Sequence, residues 1–508
     1  MRGQIRRNRR EFGAAAMGYI NGKLPQWLKF VNGSGAVAFG IKDLGFSFFL
    51  LPYYNLVLGV EAWLVGAALA TALVVDALID PLIGHLSDRT YTRWGRRLPW
   101  LYVAPIPLAF MWSLLWSPPF TGTPGFWEIV ALAVGVRLLL SACEVPSISL
   151  VPELTDDYVE RTTLFRYRFL SGWLGGMLMM VLAFTVFLPT PEAQLQPEGY
   201  AQFGMFGAFL MVVAVVGSAA GQHRIVAQRP SHRPPPFSLN GAFSEIFDAF
   251  REKAFLVFAA GGLAAYVGQG MNFSITQYVN NYVWKFDELA FQLYPGVLAL
   301  SVLFMFAIVG PLHKRFGKPH SSAGGAIVAM IFYFLPYVLF LLGIWPETGT
   351  AVSTYSMLAL LVIANTASVV AIISATSMVA EIVEAFEERT GKRAEGTFYS
   401  GNWLVQKCAT AGGILATSLI VQSLGIEQGT PQDEVAETAV IQLALIYLIA
   451  GSVLAIIAAY WLGRFPITRE QHEARVAAKH DKARSAAIPD DPIDAAARTE
   501  PDGHTITP

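Results

Sequence analysis

The chain has 508 residues, of which 54% are hydrophobic and only 14% are charged. Soluble domains average about 25% charged residues, so most of this chain is not built to face water. Its net charge of -1 excludes a whole-chain attraction to nucleic acid. The two cysteines, Cys143 and Cys408, offer neither a disulfide framework nor a zinc-binding spacing. We therefore expect a membrane protein without a nucleic-acid partner and without a cofactor.

The N-terminal segment, MRGQIRRNRREFG, contains five arginines. A twin-arginine signal needs an apolar core after the arginines, and FGAAAMGYI is too short and too interrupted for one. We therefore predict a basic cytoplasmic tail over residues 1–30. Translation starts at Met1 or at Met17, and both alternatives stay open.

Twelve apolar stretches are each long enough to cross a hydrocarbon core about 30 Å thick as a helix. They are residues 31–57, 62–85, 98–117, 126–151, 168–189, 201–222, 254–281, 289–312, 322–344, 352–380, 398–424 and 437–463.

Basic residues are distributed unevenly over the connections between these stretches. The connection after the second stretch contains four arginines, whereas the six connections on the other side contain one basic residue, Lys285. Because Lys and Arg accumulate in cytoplasmic loops, this asymmetry predicts twelve spans with both termini in the cytoplasm.

The predicted domains are an N-terminal bundle over residues 31–222 and a C-terminal bundle over residues 254–463. A Pro-rich cytoplasmic linker, residues 223–253, connects them, and a polar tail, residues 464–508, is predicted to be disordered. Six helices plus six, with a basic loop after the second helix of each half, fit the major facilitator fold.

Eight charged residues of these apolar stretches are candidates for a function, because a charge at the centre of a membrane helix costs about 2.5–3.5 kcal/mol. They are Lys42, Asp43, Asp76, Asp80, Arg137, Glu144, Arg168 and Lys407. Asp76 and Asp80 are four residues apart and thus on one helix face. Intramembrane acids favour an ion or substrate pathway, while static ion pairs between helices are the alternative, especially for Lys42 and Arg137. Arg168 is placed near the membrane edge, where snorkelling also explains it.

Apart from Lys407, the second half carries mainly amides in its apolar stretches, including Gln277, Asn281 and Asn402. Together with aromatic residues such as Trp403 they suit a hydroxyl-rich ligand. Interhelical hydrogen bonding is the alternative for each of them.

Several motifs point to a known family. The element D-x-x-x-D-P-x-x-G-x-x-x-D runs from Asp76 to Asp88. It is followed by the sequence W-G-R-R, which ends at Arg97. Read together with the G-I-K-D, C-E-V-P-S-I-S-L-V-P-E and L-V-Q-K elements at residues 40–43, 143–153 and 404–407, it resembles the glycoside–pentoside–hexuronide:cation symporter family. That family is the melibiose-carrier branch of the major facilitators.

The resemblance implies an all-α membrane protein with twelve transmembrane helices in two six-helix bundles, which imports a sugar or glycoside with a cation by alternating access. Together with the charged and polar residues described above, it also indicates roles for particular residues. The cation-binding set is Asp76, Asp80, Ser141 and Glu144. The substrate-binding set is Asp43, Lys42, Glu144, Arg168, Asn402, Trp403 and Lys407. The gate set is Asp88, Arg97, Glu381, Glu384 and Arg393, of which Glu381, Glu384 and Arg393 are expected to pair with the other half on the cytoplasmic side.

Two departures from the sequence of the melibiose carrier bear on the identity of the coupling ion and of the substrate. Ile79 stands where that carrier has an asparagine that helps to hold sodium, and an isoleucine offers no oxygen ligand. Ile148 replaces a tryptophan that packs against the sugar ring. The coupling ion is therefore a proton or sodium, and no metal is expected beyond a transported sodium ion.

Alternative functions are a cation-coupled carrier of a lysolipid or another non-sugar solute, and a membrane sensor without transport. The sequence contains no phosphate-binding or hydrolase motif in a suitable setting, so we do not expect an enzyme. The expected location is a bacterial cytoplasmic (inner) membrane, where the protein functions as a monomer.

Overall fold

The structure, a computed structural model, describes residues 23–155, 157–227, 248–391, 394–426, 429–432 and 434–467. Most of the predicted N-terminal tail, linker and C-terminal tail lies outside these residues, as do Met17 and Arg393. The described residues are almost entirely helical, and the β-structure found among them is one isolated bridge between Thr92 and Gly95.

The helices follow the predicted order. They are Gln26–Val57 (α1), Ala62–Asp88 (α2), residues 98–116 (α3), Phe126–Leu154 (α4), Tyr158–Leu182 (α5), Pro197–Val226 (α6), Lys253–Val283 (α7), residues 288–316 (α8), residues 318–341 (α9), Ala351–Thr390 (α10), Glu395–Ser423 (α11) and Glu437–Gly463 (α12).

Ten helices in the described chain are long and apolar enough to cross a membrane when Glu288–Leu341 is taken as one. Gly317, with a φ of 75° and a ψ of 167°, interrupts that stretch and separates α8 from α9. Helix α3 is a shorter apolar element, formed by Leu98–Val103 and Pro105–Trp116. These observations agree with the twelve predicted segments.

Helix α5 begins ten residues before the predicted boundary, which changes the position of Arg168. The Asp157 side chain accepts a hydrogen bond from the backbone N–H of Glu160 and thereby caps the helix at Tyr158. The length of an apolar stretch in the sequence does not reveal a polar first turn of this kind, because the polar residues lie outside the stretch. Arg168 is therefore well inside α5 rather than at its first residue, and it is 5% exposed.

The helices pack in two groups, α1–α6 and α7–α12, which meet where α2 contacts α11, α1 contacts α7 and α5 contacts α8. Small residues allow close approach, as expected for helices in lipid. A Cβ on Gly66 of α2 would lie 1.9 Å from the Ser418 hydroxyl of α11. Within the first group, a Cβ on Gly40 would lie 1.7 Å from the carbonyl oxygen of Gly172.

We call the end of the molecule that carries residues 89–97 the basic end, and the other the opposite end. At the opposite end the two groups are joined by amide hydrogen bonds. Gln194, in the short 3-10 helix Ala193–Leu195, accepts at Oε1 from Gln277 Nε2 at 2.6 Å and from Asn281 Nδ2 at 3.4 Å. The Tyr278 hydroxyl donates to Asn55 Oδ1 at 2.9 Å. Gln277 and Asn281 therefore form interhelical hydrogen bonds, the alternative considered above.

Candidate functional site

The centre of the site is the face of α2 that carries Asp76 and Asp80. Because the two acids are one helical turn apart, one side chain on a neighbouring helix can reach both. Ser141 of α4 does so: its Oγ lies 3.0 Å from Asp76 Oδ1 and 2.7 Å from Asp80 Oδ1.

Two basic residues neutralise this pair of acids. Arg137, one turn before Ser141 on α4, places Nη1 3.1 Å from Asp76 Oδ2. Its guanidinium lies over the Phe46 ring of α1, 4.4 Å from the ring centroid. Lys407 of α11 places Nζ 2.9 Å from Asp76 Oδ2 and 2.5 Å from Asp80 Oδ2.

The two acids differ in their access to solvent. The Asp76 side chain is 6% exposed and shares its oxygens among Arg137, Ser141 and Lys407. The Asp80 side chain is 31% exposed, and the Lys407 side chain is 24% exposed. Asp80 is thus the more accessible of the two acids, and its ion pair with Lys407 joins the two groups of helices.

The remaining charges form a second cluster next to the first. Lys42 and Asp43 are paired with each other at neighbouring positions of α1, and the Asp43 side chain is 70% exposed. Glu144 of α4 lies within electrostatic range of Lys42, Asp43, Asp80 and Lys407. Carboxylates accept hydrogen bonds from hydroxyl groups, so this cluster is suited to a polyhydroxylated ligand.

Arg168 borders this second cluster. Its Nη1 donates to Ser147 Oγ at 2.8 Å, and its guanidinium lies 5.8 Å from the centroid of the Phe39 ring. Its Nη2 is buried without a hydrogen-bond partner. Such an unsatisfied donor on a charged side chain is costly and is a reason to expect a ligand at this place.

The structure separates the two predicted residues of α11. Trp403 is one turn from Lys407 on the same face and is 51% exposed. Asn402 lies about 140° around the helix from Lys407 and is 4% exposed. Its Oδ1 accepts a hydrogen bond from the Tyr266 hydroxyl at 3.2 Å, so the structure does not bring Asn402 into the charged clusters.

Asp88, Arg97 and Glu381 of the predicted gate make ion pairs within their own group of helices. At the end of α2, Arg97 pairs with Asp88, and its Nε lies 3.4 Å from Glu153 Oε1 of α4. In the second group, Lys318 Nζ lies 2.8 Å from Glu381 Oε1 of α10.

Glu381 was expected to pair with the other half, and in this conformation it pairs with Lys318 of its own group instead, so the gate role of these residues stays a prediction. The physical reason is proximity, because Asp88, Arg97 and Glu381 each have an opposite charge close by in their own group of helices. Glu384 lies on α10, three residues after Glu381, and Arg393 is outside the described residues.

Two residues were missing from the predicted site. Arg137 had a usable signal, because an arginine in an apolar helix four residues before Ser141 shares a face with it. Gln194 had none, because a single glutamine in a polar connection looks like any other loop residue. Within the described residues no group of three or more His, Cys, Asp or Glu side chains gathers to hold a metal ion.

Comparison with known sequences agrees with this geometry. The family model described as "MFS/sugar transport protein" matches residues 31–469. An uncharacterized symporter of Synechocystis sp. is 27% identical, over 86% of this chain and 94% of its own. The isoprimeverose transporter of Lactiplantibacillus pentosus is 37% identical over 140 residues, which are 27% of this chain and 29% of its own. A putative glycoside/cation symporter of Escherichia coli is 23% identical over 90% of this chain and 96% of its own.

Solved structures show the same fold. The nucleoside transporter NupG superposes with a TM-score of 0.58 at 16% identity, over 87% of this chain and 98% of its own. A D-xylose-proton symporter superposes with a TM-score of 0.57 at 13% identity, over 86% and 97% of the two chains. The predicted family and fold class are confirmed, as is the expectation of a transporter rather than an enzyme. The chain belongs to the MFS/sugar transport protein family and is a multi-pass membrane protein with the major facilitator fold.

Proposed function

We propose that this protein is a symporter that carries a sugar or glycoside together with a cation by alternating access between its two groups of helices. The observation that carries the proposal is the contact of Lys407 with Asp80, because it links the two groups through a charge that a bound cation would alter. Moving one charge down a potential of 100 mV is worth about 2.3 kcal/mol, which corresponds to about fiftyfold accumulation.

We propose a proton as the coupling ion. One proton on Asp80 neutralises the acid and releases Lys407, and it needs no further ligand. Sodium needs several oxygen ligands. Here Asp76 and Asp80 already engage Arg137 and Lys407, and Ile79 adds no oxygen. Sodium is the other outcome of the experiment below.

The proposed substrate site consists of Lys42, Asp43, Glu144, Arg168 and Trp403, with Lys407 shared between substrate and ion. Carboxylates and guanidinium groups can bind sugar hydroxyls, and an exposed indole offers an apolar face to a sugar ring. The names of the isoprimeverose transporter and the putative glycoside/cation symporter support a glycoside. Asn402 is left out of this set because its amide oxygen is bonded to Tyr266.

We further propose that the basic end faces the cytoplasm of a bacterium, that the protein lies in the inner membrane with both termini inside, and that it functions as a monomer. The distribution of Lys and Arg supports the orientation. The amide hydrogen bonds at the opposite end and the exposure of Asp43 and Trp403 support a site that opens towards the basic end.

The experiment is uptake into proteoliposomes under an imposed proton or sodium gradient, with a panel of labelled glycosides and lysophospholipids. Asp80→Asn removes the charge, and we expect it to abolish gradient-driven accumulation while substrate exchange without a gradient continues. Glu347→Gln, which changes an exposed acid at the opposite end, is the control. Accumulation that Asp80→Asn leaves intact would refute the coupling role. Uptake of a lysophospholipid but of no glycoside would refute the sugar assignment.

A further inference from the structure

A groove with a volume of about 530 Å³ lies between α8, α9 and α10, and it does not include the charged residues of the candidate site. Its walls are apolar and include Phe304, Ile308 and Phe316 of α8, Gly324 and Val328 of α9, and Ile363 of α10. Cavities of about 300–1,000 Å³ are large enough for a small-molecule ligand.

The polar groups in the floor of the groove are already satisfied. The Ser321 hydroxyl donates to the carbonyl of Gly317 at 2.7 Å, and the Thr366 hydroxyl donates to the carbonyl of Val362 at 2.7 Å. Because these hydroxyls are bound to their own helices, the groove offers a ligand an apolar surface. A hydrocarbon chain suits such a surface better than a sugar does.

The length and position of the groove match one leaflet of a bilayer. Phe304 and Phe316 are twelve residues apart on α8, which corresponds to about 18 Å along the helix axis. Half of a hydrocarbon core about 30 Å thick is about 15 Å. The groove therefore runs from the middle of the membrane to the basic end.

On α8 and α9, the mouth of the groove at the basic end is positively charged. Residues 313–320 read HKRFGKPH, and no acidic residue occurs between Glu288 and Glu347. The Arg315 guanidinium lies 5.2 Å from the centroid of the Phe316 ring, which lines the groove, and His320 lines it as well. Lys318 is engaged by Glu381, so its charge is partly neutralised.

We propose that this groove binds an anionic membrane phospholipid, with one acyl chain between α8, α9 and α10 and the phosphate at Arg315 and His320. An apolar groove in a membrane helix bundle is in contact with acyl chains at high local concentration. Basic side chains at the membrane surface attract anionic headgroups. Binding at this place involves no residue of the proposed transport site and requires no transport.

The test is titration of the purified full chain with phosphatidylglycerol and with phosphatidylcholine of the same acyl chains, read by native mass spectrometry. A Cβ on Gly324 would meet no atom within 4 Å, so Gly324→Leu introduces a side chain into the groove from a position where its first atom has room. We expect about tenfold weaker phosphatidylglycerol binding in this variant. Gly296→Leu on α8 is the matched control, because a Cβ there also meets no atom within 4 Å and Gly296 does not line the groove; it should bind as the wild type does.

Arg315→Gln tests the headgroup and should remove the preference for phosphatidylglycerol over phosphatidylcholine. Val328→Phe is a second groove-filling variant and should weaken binding as Gly324→Leu does, which keeps the test valid if one variant folds poorly. Unchanged lipid binding in a folded groove-filling variant would overturn the proposal. Equal binding of the two phospholipids by the wild type would do so too.

Discussion

Lys407 on α11 lies with its Nζ 2.5 Å from Asp80 Oδ2 and 2.9 Å from Asp76 Oδ2 on α2. One basic side chain of the second group of helices thus holds both acids of the first. With Arg137 it balances their charge, and the balance explains how two carboxylates persist inside a membrane protein.

Replacing Lys407 should therefore lower the stability of the folded protein. We expect Lys407→Gln to destabilise the protein by about 1–3 kcal/mol, because it leaves Asp76 and Asp80 with less compensating charge. Adding Asp80→Asn should restore much of that loss, since no excess negative charge then remains. Thermal unfolding of the two single variants and the double variant measures the coupling between the positions.

The matched control for this double-mutant cycle is Lys318→Gln, which breaks an ion pair inside the second group of helices. Asp80→Asn should not rescue it, because Lys318 pairs with Glu381. Strictly additive effects of Lys407→Gln and Asp80→Asn would show that the contact makes no contribution of its own.

Arg168 should matter for substrate affinity through the geometry of its guanidinium. Arg168→Lys keeps the charge but removes the planar pair of donors, including the Nη2 that has no partner. A lost charged hydrogen bond is worth about 1.5–3 kcal/mol, so we expect a substrate dissociation constant about 10–150 times higher. Equilibrium binding of the transported glycoside measures this. Arg166→Lys, at an exposed position of the same helix, should leave affinity unchanged, and an equal loss in both variants would count against a direct contact.

Gln194 should control how tightly the opposite end is closed. Gln194→Ala removes the acceptor that Gln277 and Asn281 share, and we expect it to shift the population towards a conformation that is open at this end. Spin labels at the exposed positions Thr123→Cys and Glu347→Cys, in a background without the native cysteines, report the separation of the two groups of helices.

The expected readout is a larger share of long label distances in Gln194→Ala. Gln196→Ala, two residues further on and exposed, is the control and should give the distance distribution of the parent. Identical distributions in both variants would mean that this hydrogen-bond cluster does not hold the opposite end closed.

The pair of Lys29 and Glu160 should contribute to stability rather than to transport. Both residues are buried, and Lys29 Nζ lies 2.8 Å from Glu160 Oε2. Glu160→Gln leaves a buried lysine without its counter-charge, which we expect to cost about 3–5 kcal/mol of unfolding free energy. Adding Lys29→Met should recover most of this loss. Asp248→Asn, in the exposed pair with Arg251, should cost about 0–1 kcal/mol. Chemical denaturation compares the variants, and equal effects of Glu160→Gln and Asp248→Asn would contradict the expected role.

The sequence by itself determined the class of the protein, because the properties involved are local. Apolar length predicts each membrane helix, the placement of Lys and Arg predicts the loops, and the spacing of Asp76 and Asp80 puts both on one face of α2. The motif around them identifies the family. None of these inferences needs to know which helices are neighbours.

The tertiary structure alone decided which charges meet. Asp80 and Lys407 are 327 positions apart, and no local pattern states that α2 and α11 pack together. Helix capping by Asp157 placed Arg168 inside α5 rather than at its edge, and packing turned Asn402 towards Tyr266. Asp88, Arg97 and Glu381 paired within their own group of helices because an ion pair depends on distances of a few ångströms, which only the folded arrangement of the helices sets.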